Sequence, residues 1–139
     1  MKRSRILFII LGAILIIALT STLTLYIIKN TNTDDDNIVN VLAIINYGSL
    51  REPNTDEFNV TIQKGSSALE VFSKIAQLDL INYSFGVFIQ GVNNYTEQDG
   101  DYWSFHYYDQ ITESWVYSEI GVSNYYVEDG DQIKLEYTG

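Results

Sequence analysis

The 139-residue sequence contains no cysteine, one proline and one histidine. Without cysteine, a disulfide-stapled scaffold, a zinc ribbon, a thiol nucleophile and a lipid-modified cysteine anchor are all excluded. A haem or iron–sulfur protein is disfavoured as well. Bases are also scarce: eight lysines and arginines face 18 acids, a net charge of −10. Phosphate backbones are bound by clustered positive charge, so this balance argues against nucleic acid. There is no phosphate-cradling glycine loop, and no pair of carboxylates suggests an acid and a base. No cofactor and no metal site is expected, and the chain does not read as an enzyme.

What is there divides into two unlike parts. Residues 1–29 carry Lys2, Arg3, Arg5 and Lys29 and no acid, whereas every acid lies further on. Between Arg5 and Lys29 runs an uncharged stretch, Ile6 to Ile28. As a helix it would rise about 35 Å at roughly 1.5 Å per residue, enough for a hydrocarbon core about 30 Å thick. A cleaved signal peptide would share the basic start and could use the small residues Thr20, Ser21 and Thr22. However, apolar character resumes from Leu23 to Ile28 and no A-x-A site is visible, so an uncleaved signal anchor is expected. The basic residues at 2–5 then keep the N-terminus in the cytoplasm and place the rest outside the cell membrane. Residues 29–38 read as an acidic polar tether, and 39–139 as one extracytoplasmic domain.

In that domain, NVLAIINY (Asn40 to Tyr47) reads as a strand, and alternation of Phe58, Val60 and Ile62 with polar residues predicts a second. Ser67-Ala68-Leu69-Glu70 fits a capping box, so a helix is expected from Ala68 to about Leu78. Tyr83 to Gln90 reads as one strand, Gln90 to Gly100 as a polar loop, and Tyr102 to Tyr108 and Ser114 to Ser118 as neighbouring strands. Val122 to Val127 and Gln132 to Tyr137 flank Asp129-Gly130, a hairpin signal. Strand, strand, helix, then strands predicts an α+β fold, with one helix on a mostly antiparallel, β-grasp-like sheet.

Nine of the nineteen aromatics lie between Tyr102 and Tyr126. Alternation sends Trp103, Phe105 and Tyr107 to one face, expected against the helix, and Tyr102, His106 and Tyr108 to the other. Exposed aromatic rows can bind partners or simply brace neighbouring strands. His106, the lone histidine, has no partner visible in the sequence and reads as a polar sheet residue. The triplets Asp99-Gly100-Asp101 and Asp129-Gly130-Asp131 lack the spaced ligands of a calcium loop and read as turns. Asn59, Asn82 and Asn94 head glycosylation sequons, with Asn94 in the polar loop the best candidate.

VTIQKGSSALEVF, FGVFIQGV, DYWSFHY and SNYYVEDGDQIKLEY, in this order from Phe58 to Tyr137, resemble the transcobalamin C-terminal-like domain family. The Tyr102–Trp103 pair and Gly130–Asp131 before a final strand carry most of the resemblance. One departure is the longer turn Tyr108 to Glu113, where family members often have Asn-Gly. The resemblance implies a non-enzymatic binding module for cobalamin or a similar corrinoid. It also implies a ligand clamped between this domain and a large helical domain, which this sequence does not contain. Together with strand alternation, it points to Phe85, Phe88, Tyr102, Trp103 and Tyr108 as ligand-binding positions, with a partner protein completing the site. The alternative is an adhesion or interaction module docking a partner through its aromatic sheet face or an open sheet edge.

Overall fold

Alternation builds the first two strands as expected. In β1 (Ile38–Asn46), Val39, Val41, Ala43 and Ile45 are buried while the residues between them are not. β2 (Thr55–Gln63) pairs antiparallel with it and buries Val60 and Ile62. The connection between them passes through Gly48 at φ +55°, where a side chain would also meet the Tyr137 carbonyl at 3.0 Å. Glycine is therefore the residue that fits. The computed structural model describes residues 37–98 and 100–139. The expected anchor and nearly all of the tether lie outside them. Among the described residues no helix is long and apolar enough to cross a membrane.

The capping box forms. Glu70 N–H donates to Ser67 Oγ at 3.3 Å, and Ser67 N–H donates to Glu70 Oε2 at 2.7 Å. It opens α1 (Ala68–Ile75), which ends three residues before the expected stop. Ala76 turns to an extended conformation, and Leu78 already begins β3 (Leu78–Tyr83), a strand the sequence pattern did not reveal. The expected single strand Tyr83 to Gln90 is divided: the chain reverses at Ser84-Phe85 and returns as β4 (Gly86–Val92). Gly86 sits at φ +150°, a conformation a side chain would strain. The polar loop contains a short strand, β5 (Tyr95–Thr96), hairpinned onto β4 through Asn93 and Asn94 at φ 50° and 69°. Positive φ at both central positions is the hairpin geometry expected at Asp129-Gly130, and it occurs here instead.

β6 (Tyr102–Asp109) and β7 (Ser114–Tyr117) pair antiparallel, as anticipated. The final hairpin does not form. β8 (Gln132–Thr138) runs parallel to β1 and antiparallel to β6, and residues 122–127 are turns with one isolated bridge, Ser67 to Tyr126. Their backbone is engaged elsewhere. The carbonyls of Tyr125 and Val122 accept Ala68 and Leu69 N–H at 2.8 and 3.0 Å, and Val127 N–H donates to the Ser66 carbonyl at 3.0 Å. The segment thus satisfies the first-turn donors that every helix leaves unpaired.

The result is mostly β-sheet with one short helix. A five-stranded sheet has the order β2-β1-β8-β6-β7, and a three-stranded sheet the order β3-β4-β5. One face of the larger sheet carries the core: Val41, Ile45, Ile133, Leu135 and Tyr137 pack with Val71 and Phe72 of the helix and Ile89 and Val92 of β4. Of the aromatic set expected against the helix, Phe105 meets Phe72 edge to face at 6.3 Å, whereas Trp103 packs on Tyr47 and Tyr137 and Tyr107 stacks on Tyr125.

Candidate functional site

β7 pairs only with the second half of β6, His106 to Asp109. The first half of β6 is left beside β4 of the smaller sheet. A cleft of about 180 Å³ opens there, walled by Val87, Phe88, Tyr102, Trp103, Tyr117 and Ile120, with Leu135 and Val122 among its other lining residues. Three of the five anticipated ligand positions, Phe88, Tyr102 and Trp103, therefore meet in one place. Trp103 is 4% exposed, and its Nε1–H donates to the Tyr95 carbonyl at 3.0 Å. Its ring meets Tyr47 at 5.7 Å and Tyr137 at 5.4 Å, edge to face. Tyr102 is 42% exposed at the mouth.

The other two positions lie elsewhere. Phe85 is 79% exposed at the β3–β4 hairpin tip, stacked on Tyr83 at 5.3 Å. That tip is braced: Asn124 Nδ2 donates to the Phe85 carbonyl at 3.3 Å, and Val87 N–H donates to Ser123 Oγ at 3.2 Å. Tyr108 is half-buried on the sheet face away from the helix, edge-on to Trp115 at 5.5 Å. Sequence reasoning missed Val87, Tyr117 and Ile120. A local pattern could not show that the loop after β7 folds back against β4.

The outer sheet face holds a polar cluster built around Glu136. One of its carboxylate oxygens takes Lys134 Nζ at 2.7 Å, and the other takes Asn46 Nδ2 at 3.0 Å. His106 Nε2 lies 3.6 Å from Glu136 and 2.9 Å from Ser104 Oγ. Serine, histidine and glutamate together are the residue types of a nucleophile relay, but the geometry is different. Both contacts fall on one ring nitrogen, whereas a relay needs one on each. Ser104 donates its single proton to the Glu136 carbonyl at 3.0 Å, so its oxygen accepts from the histidine. Burial, and then the Lys134 charge, hold the His106 pKa below its ordinary value.

The acidic triplet 129–131 forms a turn, as read from the sequence. Asp129 Oδ1 accepts Asn40 N–H at 2.8 Å and Asp131 Oδ2 accepts Glu128 N–H at 2.9 Å. Tyr125 OH reaches Asp131 at 3.4 Å, and burial followed by that carboxylate pushes its pKa up to about 12. Among the described residues no group of three or more histidine, aspartate or glutamate side chains is placed to hold a metal. Asn59, Asn82 and Asn94 are all exposed.

No family model and no curated protein matches the sequence. Solved structures do share its fold. Haptocorrin in complex with Cbi aligns with a TM-score of 0.59 at 19% identity, over 73% of this chain and 25% of the haptocorrin chain. A protein from Ruminococcus gnavus ATCC 29149, named as metal-binding, aligns with a TM-score of 0.54 at 16% identity, over 72% of this chain and 96% of that one. The chain thus spans a quarter of haptocorrin and nearly the whole of the bacterial protein. At these identities the likeness establishes the fold, a transcobalamin-like one.

Proposed function

We propose that this chain is a membrane-anchored, extracytoplasmic binding module whose β4–β6 cleft grips an apolar edge of a corrinoid or similar organic ligand. The observation that carries this reading is the convergence of Phe88, Tyr102 and Trp103 on one cleft, in a fold shared with haptocorrin. The cleft's size sets the terms. Pockets that bury a small ligand typically offer about 300–1,000 Å³, and this one offers about 180 Å³. It can hold only part of a large ligand, so a second domain or partner protein supplies the other half of the site. The uncharged run Ile6 to Ile28 behind a basic start supports the anchored, outside placement.

Titration of the full-length chain with cobalamin and with cobinamide, read by heat and by corrinoid absorbance, tests the ligand. Weak saturable binding that Tyr102→Ala diminishes is expected. No heat and no spectral change at high ligand concentration would overturn the proposal.

A further inference from the structure

We propose that the outer edge of β7 takes up an extended, lysine- or arginine-rich segment of a partner protein as an added strand. In the β6–β7 ladder Ser118 N–H donates to the Phe105 carbonyl at 2.9 Å. Antiparallel strands alternate, so Val116 and Ser114 also face β6, and the N–H and C=O groups of Trp115 and Tyr117 point outward. Among the described residues no strand pairs with that side.

The edges at β2 and β3 are interrupted and β5 is only two residues long, whereas no such charge or bulge lies on β7. On β2, Lys74 Nζ donates to the Thr61 carbonyl at 3.1 Å, which occupies the edge with a charge. At β3 the pairing slips between Asp79 and Leu80 because Gln90 of β4 bulges out of the ladder, which bends this edge. Beside β7 instead lies a groove of about 440 Å³ walled by Tyr107, Val116, Tyr117, Ile120 and Tyr125, with Glu119 on its rim. Tyr117 and Ile120 are 57% and 54% exposed. An added strand would send alternate side chains into this groove, the arrangement by which sheet-edge docking combines backbone bonds with side-chain selection.

Charge selects the occupant. Residues 38–139 carry four bases against fifteen acids, and Asp109, Glu113 and Glu119 flank β7. The nearest base, Lys134, sits over the Trp115 ring and is paired with Glu136. A second copy of the chain would set one acidic domain against another, whereas a cationic strand is attracted. With only two outward residues on β7, backbone bonds alone are too few for tight binding, so the groove and the charge must contribute.

The probe is a fluorescent peptide of alternating lysine and valine, titrated into the full-length chain without corrinoid. Controls replace lysine by glutamate, or N-methylate alternate amides so that the backbone cannot pair. The lysine peptide is expected to bind at least tenfold more tightly than either control and to weaken with added salt. Tyr117→Pro, which removes an outward N–H while leaving the β6 ladder bonded, should weaken it similarly. The N-methylated peptide gives the same information should that variant fail to fold. Equal binding of the N-methylated or the glutamate peptide overturns the proposal. Self-association at micromolar concentration that excludes the lysine peptide also overturns it, by assigning the edge to a second copy. The groove and the cleft share Tyr117, Ser118 and Ile120, but peptide failure leaves corrinoid binding unaffected, so the two proposals fail separately.

Discussion

Tyr102 and Trp103 are adjacent in sequence, line the same cleft, and should respond to mutation in opposite ways. Trp103 is buried, meets Tyr47 and Tyr137, and bonds the Tyr95 carbonyl. Truncating a buried tryptophan to alanine costs about 3–5 kcal/mol, against a total of about 5–15 kcal/mol for a domain of this size. Trp103→Ala should thus lower the melting temperature by roughly 12–40 °C or abolish folding, at roughly 4–8 °C per kcal/mol. Trp103→Phe is the more discriminating change. It keeps an aromatic ring but removes the indole N–H and its bond to the Tyr95 carbonyl, at a cost of about 0.5–1.5 kcal/mol. Tyr102, at the mouth, should cost about 1 kcal/mol or less when truncated, as part-exposed sites do. Its loss should instead weaken ligand by about 1–2 kcal/mol, roughly five- to thirtyfold in Kd. Thermal and urea unfolding of the variants, followed by corrinoid titration of those that fold, give both quantities. The reasoning fails if Trp103→Phe melts with the wild type, or if Tyr102→Ala is as destabilised as Trp103→Ala.

Three further changes probe the frame around the site. Ser67→Ala removes the helix cap and should cost about 1 kcal/mol in urea unfolding, because Glu70 N–H loses its acceptor. Tyr125 has its pKa raised to about 12 from 10.0, so its stabilising contribution is complete below pH 10 and is lost as pH climbs toward 12. Phenolate absorbance should show Tyr125 among the last tyrosines to ionise, and Tyr125→Phe should unfold less steeply with rising pH. His106 is shifted the other way, below 6.5, so stability is retained above that pH and lost as pH falls through the lowered value. His106→Gln should flatten that acid limb, measured as melting temperature against pH.

The local layer of the fold was legible and the assembly was not. Composition and period-two alternation located β1, β2, β6, β7 and β8 and turned Trp103 and Phe105 into the core. Ser67 and Glu70 marked the helix start because capping is a four-residue interaction. The failures share a cause, which is pairing chosen at long range. Residues 122–127 have strand composition, yet their carbonyls serve the start of α1 more than fifty positions earlier. β8 is likewise diverted from a local hairpin: Gly130 N–H donates to the Asn40 carbonyl, and Leu42 N–H donates to the Asp131 carbonyl, which sets it alongside β1. The cleft draws on β4, β6, β8 and the loop after β7. The resemblance and alternation together therefore named only three of its lining residues, Phe88, Tyr102 and Trp103, in advance.

β8 lies at the middle of the larger sheet, between β1 and β6, although it follows every other described strand in the chain. During synthesis β1 and β2 can zip together at once, and β3 with β4, since each pair is close in sequence. The two halves of the larger sheet cannot join until β8 emerges some ninety residues after β1. The core face stays open for that interval, with Val41, Ile45 and Trp103 uncovered. Such distant closure is slow compared with local contacts, so the nascent chain has to be shielded from aggregation until β8 arrives.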